Sequence, residues 1–203
     1  MAVYFLDLEF LCNEKSADKN AITAISLIDM EGKLERTVVL RPSKNFKVSA
    51  YCTELTGFTY EQLSNSPTLN EVYEDFFQGI EGKDHVIYAW GKDGEALHNV
   101  LKQKDIKSNL HIEDFQNIVK EYCELYQRPG LNMTMTMLQG KHKYKNHNVL
   151  DDTLMLREIY IAFNEDKESF KNSMRLTEFH KRVQDLYVSY KDVLVQGVCV
   201  NEQ

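Results

Sequence analysis

The chain has 203 residues, 43% hydrophobic and 27% charged, which supplies one domain with a full core and excludes a disordered chain. Its 24 Lys and Arg against 31 Asp and Glu give a net charge of -7, which argues against a sequence-independent coat on nucleic acid but leaves room for an enzyme that engages phosphodiesters through bound metal. The four cysteines, Cys12, Cys52, Cys123 and Cys199, include no C-x-x-C pair, so neither a zinc site nor a disulfide framework is expected and reduced thiols in cytoplasm are the default.

The opening stretch, Ala2 to Leu11, is apolar and aromatic, yet it has no basic n-region and is interrupted by Asp7 and Glu9. No run in the chain approaches 18 apolar residues, so the sequence reads as neither secreted nor membrane-spanning. The stretch reads instead as a buried central strand. Strand side chains alternate between faces, so Asp7 and Glu9 point the same way and converge. Two like charges on a buried strand are costly, and a hard divalent cation such as Mg²⁺ or Mn²⁺ is the cheapest compensation. An edge strand with its charged face in water is the other reading of an isolated D-x-E.

Asn13 to Asn20 is polar and turn-like. Ala21 to Asp29 resumes as a strand, Met30 to Lys33 makes a hairpin-type turn, and a third strand follows from about Glu35 to Leu40, which together form an antiparallel meander. From Arg41-Pro42 the character turns helical: Val48 to Leu55, then Tyr60 to Leu63 behind Thr59, then Leu69 to Phe77 behind Thr68 with Glu71 completing a capping box. His85 to Gly91 reads as a buried strand, Asp93 to about Lys104 as a helix, and Leu110 to Ile112 as a short strand. Helices follow at about Phe115 to Tyr126, Asn132 to Leu138 and, after a basic loop, Val149 to Phe163. Three strands followed by strands alternating with helices specify an α/β fold, a mixed sheet flanked by helices. The tail from Asn164 is charged and then amphipathic through Leu176, Phe179, Val183, Leu186 and Tyr187, as a docked helix would be. Val193 to Val200 is β-prone and suits an edge strand or pairing with another subunit.

Two further places carry candidate chemistry. Asp93 follows the buried strand, at the kind of strand end where ligand sites of open α/β sheets gather. Taken alone it also reads as the N-cap of the next helix. His147 leaves the basic loop just before a helix whose first turn carries Asp151 and Asp152. Alone, the acids complement the helix dipole and the histidine is an exposed loop residue.

Together these residues carry a resemblance. Asp7-Leu8-Glu9, Asp93 with Leu97 four residues on, and His147 with Asp152 five residues on resemble the three motifs of the DEDDh branch of the DnaQ-like 3'-5' exonucleases, whose fold is RNase H-like. Ser49-Ala-Tyr-Cys52-Thr-Glu-Leu55-Thr56-Gly57-Phe58-Thr59, followed by Ser66-Pro67-Thr68, resembles the F-C-x-x-L-T-G-I segment of the ERI-1/KapD-like subgroup, as do the Asp-Leu-Glu-Phe start and Trp90-Gly91. Between Gly91 and Asp93 only Lys92 intervenes, where members of the subgroup often have two residues. The likeness covers residues 2 to 163, implying an exonuclease domain over 1–163 and a helical extension over 164–203.

The resemblance implies that Asp7, Glu9, Asp93 and Asp152 hold two divalent ions, Mg²⁺ or Mn²⁺, roughly 3.5–4 Å apart, and that His147 takes the proton from the attacking water. Glu9 would also meet the terminal 3'-hydroxyl, and Asp151 is left to the helix N-terminus. The implied reaction releases nucleoside 5'-monophosphates from single-stranded 3' ends of RNA or DNA. Phe10, Leu55, Thr56 and Trp90, beside the motifs, are candidates to touch the terminal bases, although core packing suits Trp90 equally. Lys143, within the cluster Lys141 to Lys145, is a candidate phosphate contact, a solvated loop being the other reading. A trimming or proofreading subunit directed by a protein partner, a homo-oligomer, and a non-catalytic nucleic-acid scaffold on the same fold stand beside the free enzyme.

Overall fold

The computed structural model describes residues 1–42, 45–81 and 84–199, the last stretch beyond residue 186 as backbone only. β1 (Ala2–Asn13) and β2 (Ser16–Asp29) form a long antiparallel ribbon, and β3 (Glu35–Val39) adds antiparallel to β2. Three short helices follow, α1 (Ala50–Thr56), α2 (Tyr60–Ser64) and α3 (Leu69–Phe76). β4 (His85–Ala89) then pairs parallel to β1, α4 (Asp93–Gln103) crosses back, and β5 (Ile112–Asp114) pairs parallel to β4. α5 (Phe115–Cys123), α6 (Leu131–Gln139), α7 (Val149–Glu165) and α8 (Lys167–Cys199) complete the chain. The sheet order is β3-β2-β1-β4-β5, the mixed α/β sheet that the alternation of elements specifies, with β1 in the middle.

Alternation along β1 divides the core. Leu6, Leu8 and Phe10 enter one apolar cluster with α3 and α4, while Phe5 enters the other with Phe115, Ile159 and Phe163 of α5 and α7. Asp7 and Glu9 share the Phe5 face. Their cross-strand partners on β2 are Ser26 and Ala24, side chains small enough to leave space above the acids. β4 ends at Ala89, opposite Leu6, so β1 runs on past its parallel neighbour from Asp7. A crevice opens at that strand end, where open α/β sheets bind ligands.

Three expectations change. The stretch from Asn13 to Asn20 is ladder rather than loop: only Glu14 and Lys15 turn, and Cys12 pairs with Ala17. Residues 16–20 are exposed and, Ala17 apart, polar, so no apolar alternation marks them as a strand. The chain from Val193 to Cys199 is helical rather than an edge strand, β propensity being a weak prior against helical context, and Val200 lies outside the described residues. Finally, among the described residues the apolar face of α8 through Leu176, Phe179, Val183 and Leu186 is exposed rather than docked, although Glu178 accepts from the Tyr126 and Gln127 backbone N–H groups. Phe170 and Met174 are buried, whereas Phe179 is 62% and Leu186 71% exposed. Among the described residues no helix is long and apolar enough to cross a membrane.

Candidate active site

Four carboxylates from three separate elements meet in the crevice. Asp7 and Glu9 come from β1, Asp93 from the first residue of α4, and Asp152 from the first turns of α7. They line one cavity of about 240 Å³ with Phe10, Leu55, Lys19 and His147. All four are nearly inaccessible, with 8% of Asp7, Glu9 and Asp93 and 9% of Asp152 exposed.

The short link between Gly91 and Asp93 works because two glycines shape it. Gly91 sits at φ +79°, left-handed backbone that favours glycine, and its N–H donates to Asp114 Oδ1 at 3.2 Å. Arg128 holds the other oxygen of Asp114 at 2.6 Å, so the turn rests on an ion pair from the next loop. A Cβ on Gly94 would stand 2.6 Å from Ile112 Cγ2; its absence lets α4 begin against β5 and brings Asp93 to β1.

On the other side, Asn148 caps α7 by accepting from Asp151 N–H. His147, the residue before that cap, adopts φ +60°, an uncommon conformation for a non-glycine residue, and its backbone N–H donates to Asp152 Oδ2 at 3.1 Å. The same backbone geometry therefore fixes both the acid and the histidine. One ligand atom each of Glu9, His147 and Asp152 lie within 4.8 Å of one another. Asp151 turns away and accepts from the Lys145 backbone N–H at 3.0 Å.

The electrostatics are those of a site short of positive charge. Burial, and then the like charges of Asp93, Asp152 and Glu9, push Asp7 well above the carboxylate range. Burial first and the neighbouring acids second raise Glu9 to about 8. Burial likewise raises Asp152 to about 7, against the pull of the His147 N–H, and Asp93 to about 6, against the pull of Lys19 and the Leu8 N–H. Four oxygen-donor acids crowded out of water with one ammonium among them fit hard divalent cations, which favour carboxylate oxygen and remove the repulsion.

That ammonium belongs to Lys19, whose Nζ lies 3.6 Å from Asp93 Oδ1 and 3.9 Å above the Phe10 ring. Sequence reasoning missed it, because its place depends on two register shifts that carry the β1–β2 ribbon over the site. Phe10 and Leu55 line the pocket. Thr56 instead ends α1, donating its hydroxyl to Cys52 O and accepting from Phe58 N–H. Trp90 packs on Phe115 in the core, and its indole N–H donates to Pro129 O. Lys143 lies over Tyr144, outside the pocket.

This fold and this acidic crevice define an RNase H-like nuclease domain. The sequence pattern of the RNase_T exonuclease family matches residues 4–160, and the chain belongs to that family. It is 24% identical over 160 residues to DNA polymerase III subunit epsilon of Buchnera aphidicola subsp. Schizaphis graminum (strain Sg), a match covering 73% of this chain and 65% of that protein. Among solved structures it resembles the nuclease domain of 3'hExo, a DEDDh family member bound to rAMP (TM-score 0.66, 20% identity, 81% of this chain and 92% of that one). It also resembles a 3'-exonuclease recognising the histone mRNA stem-loop (TM-score 0.68, 16% identity, 80% and 63%) and Escherichia coli exonuclease I with an oligo-dA (TM-score 0.65, 9% identity, 84% and 42%). The chain is thus an RNase_T exonuclease family member with an RNase H-like fold, and its four acids and His147 gather in one crevice.

Proposed function

We propose that the chain is a metal-dependent 3'-5' exonuclease that removes nucleoside 5'-monophosphates from single-stranded 3' ends of RNA or DNA. The observation that carries this is the convergence of four buried acids with His147 in one crevice. Asp7, Glu9, Asp93 and Asp152 would hold two divalent ions, which when bound supply a hydroxide near neutral pH and take up charge on the leaving oxygen. The His147 imidazole, exposed at the rim, accepts the proton of the attacking water and can pass it to solvent. Glu9 receives the terminal 3'-hydroxyl, and Phe10 and Leu55, which line the same pocket, present apolar surface to the terminal base. Residues 1–163 form the catalytic unit in this reading, and 164–203 a helical extension to it.

The relatives named above are a replication subunit and enzymes solved with an oligo-dA, an mRNA stem-loop or rAMP. They support nucleic acid as substrate and leave both sugars as candidates. The polymerase-subunit relative supports the second reading, an active subunit steered by a protein partner. The absence of a C-x-x-C pair or a dense cysteine pattern in the sequence favours a reducing compartment, the cytoplasm, as its location.

A time course with 5'-labelled single-stranded RNA and DNA in Mg²⁺, Mn²⁺ or EDTA tests the reading. A metal-dependent ladder shortening from the 3' end is expected. His147→Ala should slow it by about 10²–10⁴-fold with metal affinity nearly unchanged. Absence of any ladder with both metals and both sugars would overturn the catalytic assignment.

A further inference from the structure

The catalytic pocket continues on its ribbon side. Cys12 lines it and also lines a neighbouring cavity of about 610 Å³, walled by Leu11, Asn13 and Ser16 of the ribbon and by the segment from Asn45 to Ser49. That volume lies in the range of about 300–1,000 Å³ over which cavities take ligands. Asn45, Phe46 and Lys47 form its outer wall and, with Tyr60, line a third and shallower concavity. Three hollows in a row thus lead from the carboxylates to an aromatic pair. The Phe46 and Tyr60 rings lie 5.0 Å apart at 34°, with Tyr60 57% exposed.

Folding does not account for the exposure of Tyr60. It is the first residue of a five-residue helix already capped by Thr59, whose hydroxyl accepts from Gln62 N–H. Charge narrows what the pair could receive. A chain of net charge -7 whose pocket holds four acids gains little affinity for a polyanion from counterion release. Stacking of bases on aromatic rings supplies affinity without net positive charge and without sequence preference.

Resting on the exonuclease reading above, we propose that Phe46 and Tyr60, with the Lys47 ammonium beside them, form a stacking platform for an unpaired nucleobase of the substrate strand, upstream of the 3'-terminal nucleotide. The strand reaches it through the cavity between the ribbon and the Asn45 to Ser49 segment. The platform extends the grip beyond the terminal nucleotide and selects strands that are single-stranded for several nucleotides.

Two measurements on the full chain decide this. In the first, kcat/KM is compared for a dinucleotide and an octanucleotide. The octanucleotide should be favoured by roughly tenfold or more through stacking, Phe46→Leu with Tyr60→Leu should erase most of that advantage, and dinucleotide turnover should stay the same. In the second, an octanucleotide carrying 5-iodouracil at successive positions is irradiated with the unmutated protein without metal. The cross-linked peptide should contain Phe46 or Tyr60 for a base upstream of the terminal one. Equal length preference in variant and wild type, dinucleotide turnover lost along with it, or cross-links mapping elsewhere would each overturn the platform. If the wild type cleaves neither substrate with metal present, the exonuclease reading fails instead, and the cross-link alone decides the platform.

Discussion

The crevice and the C-terminal helix break the same rule in opposite directions. In the crevice four charged side chains are buried, held by the ends of β1, α4 and α7; along α8 beyond Met174, Leu176, Phe179, Val183 and Leu186 are apolar and exposed. Burying like charges is expensive and needs rigid surroundings to enforce it, whereas an apolar stripe left exposed along one face of a helix desolvates no charge and needs no such enforcement. The first departure therefore marks a site built for something positive. The second marks a helix face that nothing in the described part of the domain covers.

Substitution should separate the two regions most sharply. Asp7→Asn is expected to lower the exonuclease rate at least about a thousandfold, while the metal-free variant melts no lower than wild type, because asparagine keeps the side chain's size and cannot add a like charge beside Glu9, Asp93 and Asp152. Thermal melts with and without Mg²⁺, read beside the activity, check both halves. A fall in activity accompanied by a fall in metal-free stability would mean that Asp7 is a structural acid.

The other region should answer through stability alone. Phe170 is buried with its ring edge-on to Phe163 at 5.4 Å, so Phe170→Ala should cost about 3–5 kcal/mol in denaturant unfolding. Leu186→Ser, one of the exposed apolar positions, should change stability by less than about 0.5 kcal/mol. Equal losses from the two would show α8 to be docked along its whole length.

The pH dependence of the metal-free protein is a subtler test. Glu9, Asp152 and Asp93 are raised to about 8, 7 and 6, and Asp7 is raised as well. Their folded forms therefore hold protons that the unfolded chain gives up near pH 4. The folded state binds more protons across that interval, so the stability they contribute is complete below pH 4 and is lost as pH rises towards 8. The melting temperature without metal should fall from pH 5 to pH 8, with Mg²⁺ restoring it most at the upper end.

Much of this was legible in the chain. The period of two in Ala2 to Leu11 placed Asp7 and Glu9 on one face, and Thr68 with Glu71 forms the expected capping box, Glu71 Oε2 accepting from Thr68 N–H at 2.6 Å. Lys19 was not legible, because its strand is polar on both faces where the ribbon projects into water. Nor was the reach of Asp93 across its short link, which depends on the left-handed turn at Gly91 and the bare Cα of Gly94. For α8, apolar spacing identified which residues share a face. It could not say whether anything covers that face.

The measurement closest to the central claim is a calorimetric titration of the metal-free protein with Mn²⁺ at pH 7 in buffers of different ionisation enthalpy. Binding should release protons, more than about one per protein, because metal must displace them from the raised carboxyls, and Asp7→Asn should abolish most of the heat. Binding without proton release, or no binding at all, would contradict a metal site built on Asp7, Glu9, Asp93 and Asp152.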